Sequence, residues 1–163
     1  MRAGIKAMVL PSLAAIDAGK PFLSRIRQID VEDLLGRSAI TIDAPHVNEL
    51  LHGQVVMVTG AGGSIGSELC RQIARFGPAQ LVAYEMSEFA LYRLVEEFRD
   101  DFPDVALIPV AGDVKDGVLL DHVLSRHTPA IIFHAAAYKH VPLMEERNTW
   151  QAVRNNTLGT YCV

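Results

Sequence analysis

The stretch Val55-Val56-Met57-Val58-Thr59-Gly60-Ala61-Gly62-Gly63-Ser64-Ile65-Gly66 decides the fold. Val55 to Val58 is a continuous apolar run, which fits a strand buried on both faces. Ile65, Leu69, Ile73 and Phe76 then recur at helical spacing, and Gly77-Pro78 stops the helix. Strand, glycine loop and helix follow in register, the context that gives a glycine pattern meaning. Gly60 permits the tight turn. Gly63 lets the backbone approach a pyrophosphate, and Gly66 lets the helix pack on the strand. Free N–H groups and the positive end of the helix dipole then face the phosphates, and Ser64 adds a hydroxyl donor. No lysine follows the glycines, so the loop is not that of a P-loop ATPase.

The pattern repeats outward from this stretch. Leu81 to Tyr84, Val105 to Val110 and Ala130 to Phe133 read as three more strands, with Pro109 weakening the third. Helical spacing recurs at Leu91, Leu94, Val95 and Phe98, and again at Leu119, Leu120, Val123 and Leu124. A polar helix is predicted from Glu145 to Thr160. Strands alternating with helices imply an α/β fold, a doubly wound parallel sheet with helices on both faces. A complete sheet of this class has six strands, so residues 51–163 read as the N-terminal part of a Rossmann dinucleotide-binding domain, incomplete at the C-terminus. Residues 1–50 show no sustained period and read as a lead-in from a missing upstream domain, with a short helix over Ile29–Leu35 stopped by Gly36.

Composition narrows the class. Of 163 residues, half are hydrophobic and 21% charged, which is globular rather than disordered. A net charge of −4 argues against a protein that grips nucleic acid by its phosphates. Cys70 and Cys162 match no metal-ligand spacing, so no metal site is expected. No apolar run reaches the roughly 18–20 residues that span a bilayer, and Pro11 cuts the only N-terminal apolar stretch, so no secretory signal is read.

Other strand ends offer polar groups. Glu85 ends the second strand, where a carboxylate accepts from a ribose diol and repels a 2′-phosphate. That favours NAD over NADP, although Arg93 lies within reach. Asp113, after Gly112, can accept from an adenine amino group, with the Val114 N–H donating to the ring. Ala135, Ala136 and Ala137 have the small side chains that close backbone contact with a cofactor requires. Each also has a plainer reading: Glu85 as a solvated charge, Asp113 as a turn or helix-cap residue, the alanines as close packing.

Together these residues look like the extended short-chain dehydrogenase/reductase superfamily, whose loop reads T-G-x-x-G-x-x-G, here TGAGGSIG from Thr59 to Gly66. Longer stretches narrow it. GAGGSIGSELCR over Gly60–Arg71, YEMSEFALY over Tyr84–Tyr92 and FHAAAYKHVPLME over Phe133–Glu145 resemble the CapD-type polysaccharide biosynthesis proteins. So does IDVEDLLGR over Ile29–Arg37. The resemblance covers roughly residues 22–163 and implies a nucleotide-sugar 4,6-dehydratase, typically acting on UDP-N-acetylglucosamine. It implies phosphate contacts at Gly63, Ser64, Ile65 and Gly66, ribose contacts at Glu85 and Ser87, and adenine contacts at Asp113 and Val114. Ala135 would run along the cofactor, and Lys139 would face the UDP-sugar; its plainer reading is a solvated lysine. Asn155 to Thr160 resembles the superfamily's N-x-x-G-T helix, whose asparagine braces the site, and His134 and His140 read as structural.

The implied reaction on the sugar is oxidation at C4, loss of water across C5 and C6, and reduction at C6. The implied catalytic residues follow a fifth strand, as a Ser/Thr-Asp-Lys stretch and a Met- or Tyr-x-x-x-Lys helix. None of Tyr84, Tyr92, Tyr138 and Tyr161 has a lysine four residues on, so no catalytic residue is expected in this chain, which alone should not complete the reaction. Two alternatives stay open: part of a nucleotide-sugar 4-epimerase, and a non-catalytic dinucleotide-binding module. The chain is expected to be cytoplasmic, with its oligomeric state open to a homo-oligomer and with long relatives at the inner membrane.

Overall fold

The computed structural model describes Met8–Val9, Arg27–Gln28 and residues 44–163. The chain divides into two units, residues 1–42 and 43–163. In the first, β1 (Met8–Val9) pairs antiparallel with β2 (Arg27–Gln28). The helix predicted over Ile29–Leu35 lies outside the described residues.

The second unit begins with α1 (Ala44–Leu51), within the stretch read as lead-in. Leu51 is buried in the core. Then come β3 (Val55–Thr59), α2 (Ser64–Ala74), β4 (Gln80–Glu85), α3 (Glu88–Asp101), β5 (Leu107–Ala111), α4 (Gly117–His127) and β6 (Ile131–His134). All four strands are parallel, in the order β5-β4-β3-β6. The chain winds outward from β3 to β5, then crosses back to lay β6 on the other side of β3. The carboxyl ends of β3 and β6 therefore flank the switch point, where such sheets bind ligands.

Side-chain alternation explains the layers. Val56, Val58, Leu81 and Ala83 face one side, where α2 and α3 bring Cys70, Ile73, Leu91, Leu94 and Phe98. Met57, Val82 and Tyr84 face the other, where α4 brings Leu120 and Val123. Both faces being covered, the strands read as unbroken apolar runs. Burying each Val or Leu stabilises the fold by about 1.5–3 kcal/mol. Arg71 on α2 forms a two-pronged pair with Glu97 on α3, worth about 1 kcal/mol or less at this exposure. Pro109 causes no conflict because β5 is an edge strand, where a missing N–H is tolerated.

One predicted helix is corrected. No helix starts at Glu145. A single turn, α5 (Val141–Met144), comes first, and the long helix begins at Thr149 as α6 (Thr149–Val153). Glu146 breaks the run with a left-handed φ of 53°, and the Asn148 side-chain amide donates to the Leu143 carbonyl at 2.9 Å. After α6 a π-turn (Arg154–Leu158) leads into α7 (Gly159–Cys162).

Among the described residues no helix is long and apolar enough to cross a membrane, and no His, Cys, Asp and Glu group could hold a metal ion. Cys70 and Cys162 are free thiols, and burial pushes Cys70 up to about 12.

Candidate functional site

The glycine loop joins β3 to α2 at the switch point. Gly60 has φ +67°, and a Cβ there would lie 2.7 Å from the Ala136 nitrogen. Only glycine gives both the left-handed turn and this approach of two strand ends. A Cβ on Gly66 would overlap the Gly60 carbonyl oxygen, so the helix start packs directly on the turn. The Gly63 N–H donates to Gly60 O at 3.0 Å, and the Ser67 N–H to Gly63 O at 2.8 Å. The N–H groups of Ser64, Ile65 and Gly66, between them, precede the first intrahelical bond. No side chain caps this helix start.

At the end of β4, both oxygens of Glu85 are used. Oε2 accepts from the Gly62 N–H at 2.9 Å and Oε1 from the Ser87 N–H at 2.8 Å. The carboxylate is thereby fixed against the loop, with lone pairs left over. The Ser87 hydroxyl accepts from the Ala90 N–H at 3.3 Å as the α3 cap, leaving its proton free to donate. Beyond β5, Asp113 is held at three points. The Tyr84 hydroxyl donates to its carbonyl at 2.9 Å. Its Oδ1 accepts from the Lys115 N–H at 2.9 Å and the Lys115 ammonium at 2.7 Å. Burial works to raise the Asp113 carboxyl, but the Lys115 hydrogen bonds and charge outweigh it and hold the group below its usual value. Burial, with help from Asp116 and Asp113, pushes Tyr84 up to about 12.

The third wall follows β6. Asn155 is buried and donates to the Ala136 carbonyl at 3.2 Å. Asn156 accepts from the Tyr138 N–H at 2.9 Å and donates to the Tyr138 carbonyl at 3.0 Å. The Thr160 hydroxyl donates to Asn156 O at 2.6 Å, so its oxygen must accept from His134 Nε2 at 3.1 Å. His134 Nδ1 is then the acceptor for the buried Thr59 hydroxyl at 2.7 Å. Burial lowers the His134 pKa, in keeping with this neutral tautomer. The Lys139 ammonium lies 3.4 Å from Ser64 Oγ, at the mouth of α2.

Two hollows, of about 320 and 790 Å³, share Gly63, Ala135, Ala137 and Tyr138 and make one groove along the carboxyl edge of the sheet. Every site residue singled out in the sequence lines it. Gly60, Glu85, Ser87, Asp113, Val114 and Ala136 face the smaller hollow, and Ser64, Ile65, Gly66 and Lys139 the larger. Sequence reading missed the residues that hold these in place. Gly62 supplies the amide that fixes Glu85, and Tyr84 and Lys115 fix Asp113, while His134, which the sequence marks as structural, links two strand ends. Only Lys115 left a local trace, its place two residues after an aspartate, where side chain and backbone form an Asx-type turn.

The model of a family described as polysaccharide biosynthesis protein matches residues 56–163. The capsular polysaccharide biosynthesis protein CapD of Staphylococcus aureus is 35% identical over 158 residues, 96% of this chain and 26% of CapD. The probable polysaccharide biosynthesis protein EpsC of Bacillus subtilis is 36% identical over 161 residues, 98% of this chain and 27% of EpsC. The chain thus spans about a quarter of the length of these curated relatives. Among solved structures, Pen from Bacillus thuringiensis aligns with a TM-score of 0.60 and 30% identity, covering 70% of this chain and 34% of Pen.

Proposed function

We propose, from the premise that this chain belongs to the polysaccharide biosynthesis protein family, that it is the NAD(P)-binding portion of a nucleotide-sugar 4,6-dehydratase or epimerase. The observation that carries this reading is the groove at the switch point, which gathers the glycine loop, Glu85, Asp113, the alanine wall and Lys139. These residues fit a nicotinamide dinucleotide. The loop leaves three amides of α2 without helical partners beside a turn too tight for any Cβ, which suits a pyrophosphate. Glu85 is anchored with lone pairs free, which suits a ribose diol. Asp113 stays ionised and aimed, which suits an adenine amino group.

The bound cofactor would supply hydride transfer with the sugar. The chain's own residues bind, orient and exclude water. Lys139, near the helix mouth, adds positive charge for a UDP-sugar diphosphate. Ala135 to Ala137 keep one wall low enough for close backbone contact. We assign no proton-transfer role to a residue of this groove. The same reading has the chain working on the cytoplasmic side, with longer relatives at the inner membrane.

NAD is the preferred form in this reading because Glu85 would repel a 2′-phosphate. Calorimetric titration of the 163-residue chain with NAD⁺ and NADP⁺ tests it. NAD⁺ should bind more tightly by roughly tenfold or more, and Glu85→Gln should narrow the gap. Tighter binding of NADP⁺, or no binding of either, would refute the assignment.

A further inference from the structure

Lys115 lines neither hollow, yet it joins two walls of the groove. Its side chain is only 17% exposed. The ammonium donates to Asp113 Oδ1 at 2.7 Å and to Asn155 Oδ1 at 3.1 Å. Asn155, itself buried, spends its amide on the Ala136 carbonyl at 3.2 Å. The wall beyond β5 is thereby connected through one cation to the wall beyond β6. Lys115 and Asn155 are forty residues apart in sequence, so the connection exists only in the folded chain.

We propose that Lys115 is a positioning residue for the adenine end of the groove: its ammonium orients the Asp113 carboxylate and, through Asn155, sets the separation of the two walls. This rests on the dinucleotide reading of the groove. With Oδ1 occupied by the ammonium and by the Lys115 N–H, Oδ2 is the oxygen left to accept from a ligand. The Tyr84 hydroxyl holds the Asp113 carbonyl from the sheet side. Arg154, on the π-turn, adds a second positive charge facing Asp113, and Asp116 a negative one facing Tyr84. The Asp113 side chain is 35% exposed, so a carboxylate without this partner would be free to turn toward solvent. Lys115 holds it in place without lining the groove.

The π-turn belongs to the same device. A widened turn brings Asn155 and Asn156, adjacent in sequence, onto Ala136 and Tyr138 of the facing loop. Such turns recur at functional sites. Here the turn gives Lys115 a partner that is already fixed to the opposite wall.

The test compares Lys115→Met and Lys115→Arg in the full 163-residue chain. NAD⁺ and AMP are titrated calorimetrically, and the Asp113 carboxyl is followed by carbon NMR against pH. Lys115→Met should weaken both ligands by roughly ten- to hundredfold, AMP included because the adenine end is affected. The Asp113 carboxyl should titrate at higher pH than in the parent chain, because the ammonium on its Oδ1 is gone, and the loss of AMP affinity that accompanies it is the change a merely structural lysine would not produce. Lys115→Arg should recover most of the affinity. If Lys115→Met does not fold, Lys115→Gln, which keeps a donor and loses the charge, gives the same comparison. Unchanged AMP affinity overturns the proposal while leaving the cofactor reading intact. So does weakened binding with the Asp113 titration unmoved. A parent chain that binds neither NAD⁺ nor AMP refutes the cofactor reading and the proposal together.

Discussion

His134 shows how one side chain joins two strands and a helix. Its ring accepts from Thr59 at the end of β3 and donates to Thr160 on α7. Protonation would put a donor on both nitrogens and leave the Thr59 contact without a proton acceptor on the ring. Burial lowers the His134 pKa, so the unfolded chain binds more protons at this residue than the folded one. Its contribution to stability is complete above the ordinary histidine value near 6.5. It declines as pH falls below that value and levels off once pH passes below the depressed folded-state value. Thermal denaturation from pH 8 to pH 5 should show this decline, and His134→Gln should flatten it, at a cost of about 1–2 kcal/mol at pH 8. An equal slope in parent and variant would contradict the tautomer assigned here. The sequence marked His134 as structural, but its partners lie at Thr59 and Thr160, beyond the reach of local pattern. Gly60 and Gly66 are the opposite case. Their roles follow from a tight turn and a helix start, both of which adjacent residues announce.

The four strands and the first three helices after β3 were legible because each is an apolar run or a helical period closed by glycine, proline or a capping residue. Ser87 and Asp116 cap α3 and α4 through the N–H groups of Ala90 and Leu119, the local chemistry that such residues favour. The helix after β6 was placed too early. Its start depends on the left-handed Glu146 and on Asn148 reaching Leu143, and neither leaves a periodic mark. The π-turn was also hidden. It shows only when Asn155 and Asn156 are seen to meet the loop after β6. Asn156 satisfies both backbone groups of Tyr138, and nothing else in that loop offers the same pair. Asn156→Ala should cost about 1–3 kcal/mol and speed hydrogen exchange at the Tyr138 amide, with little change at the β3 and β4 amides. Equal protection of Tyr138 in the variant would show that the loop is held by other contacts.

The architecture explains why a groove forms where it does. Winding outward through α2 and α3 on one face and returning through α4 on the other sets the carboxyl ends of β3 and β6 side by side, with a crevice above them at the switch point. The glycine loop enters the crevice from one side, and the alanine wall closes it from the other. Glu85 and Asp113 there are fixed by backbone N–H groups and by Lys115, and no buried side-chain nitrogen or oxygen among the described residues lacks a hydrogen bond. A site preorganised in this way binds without having to order itself first. Amide NMR of the 163-residue chain during titration with NAD⁺ tests the account most directly. It predicts saturable shifts at Gly60–Gly66, Glu85–Ser87, Asp113–Val114 and Ala135–Ala137, with the amino ends of the strands silent. No saturable shift, or shifts centred on the opposite edge of the sheet, would contradict it.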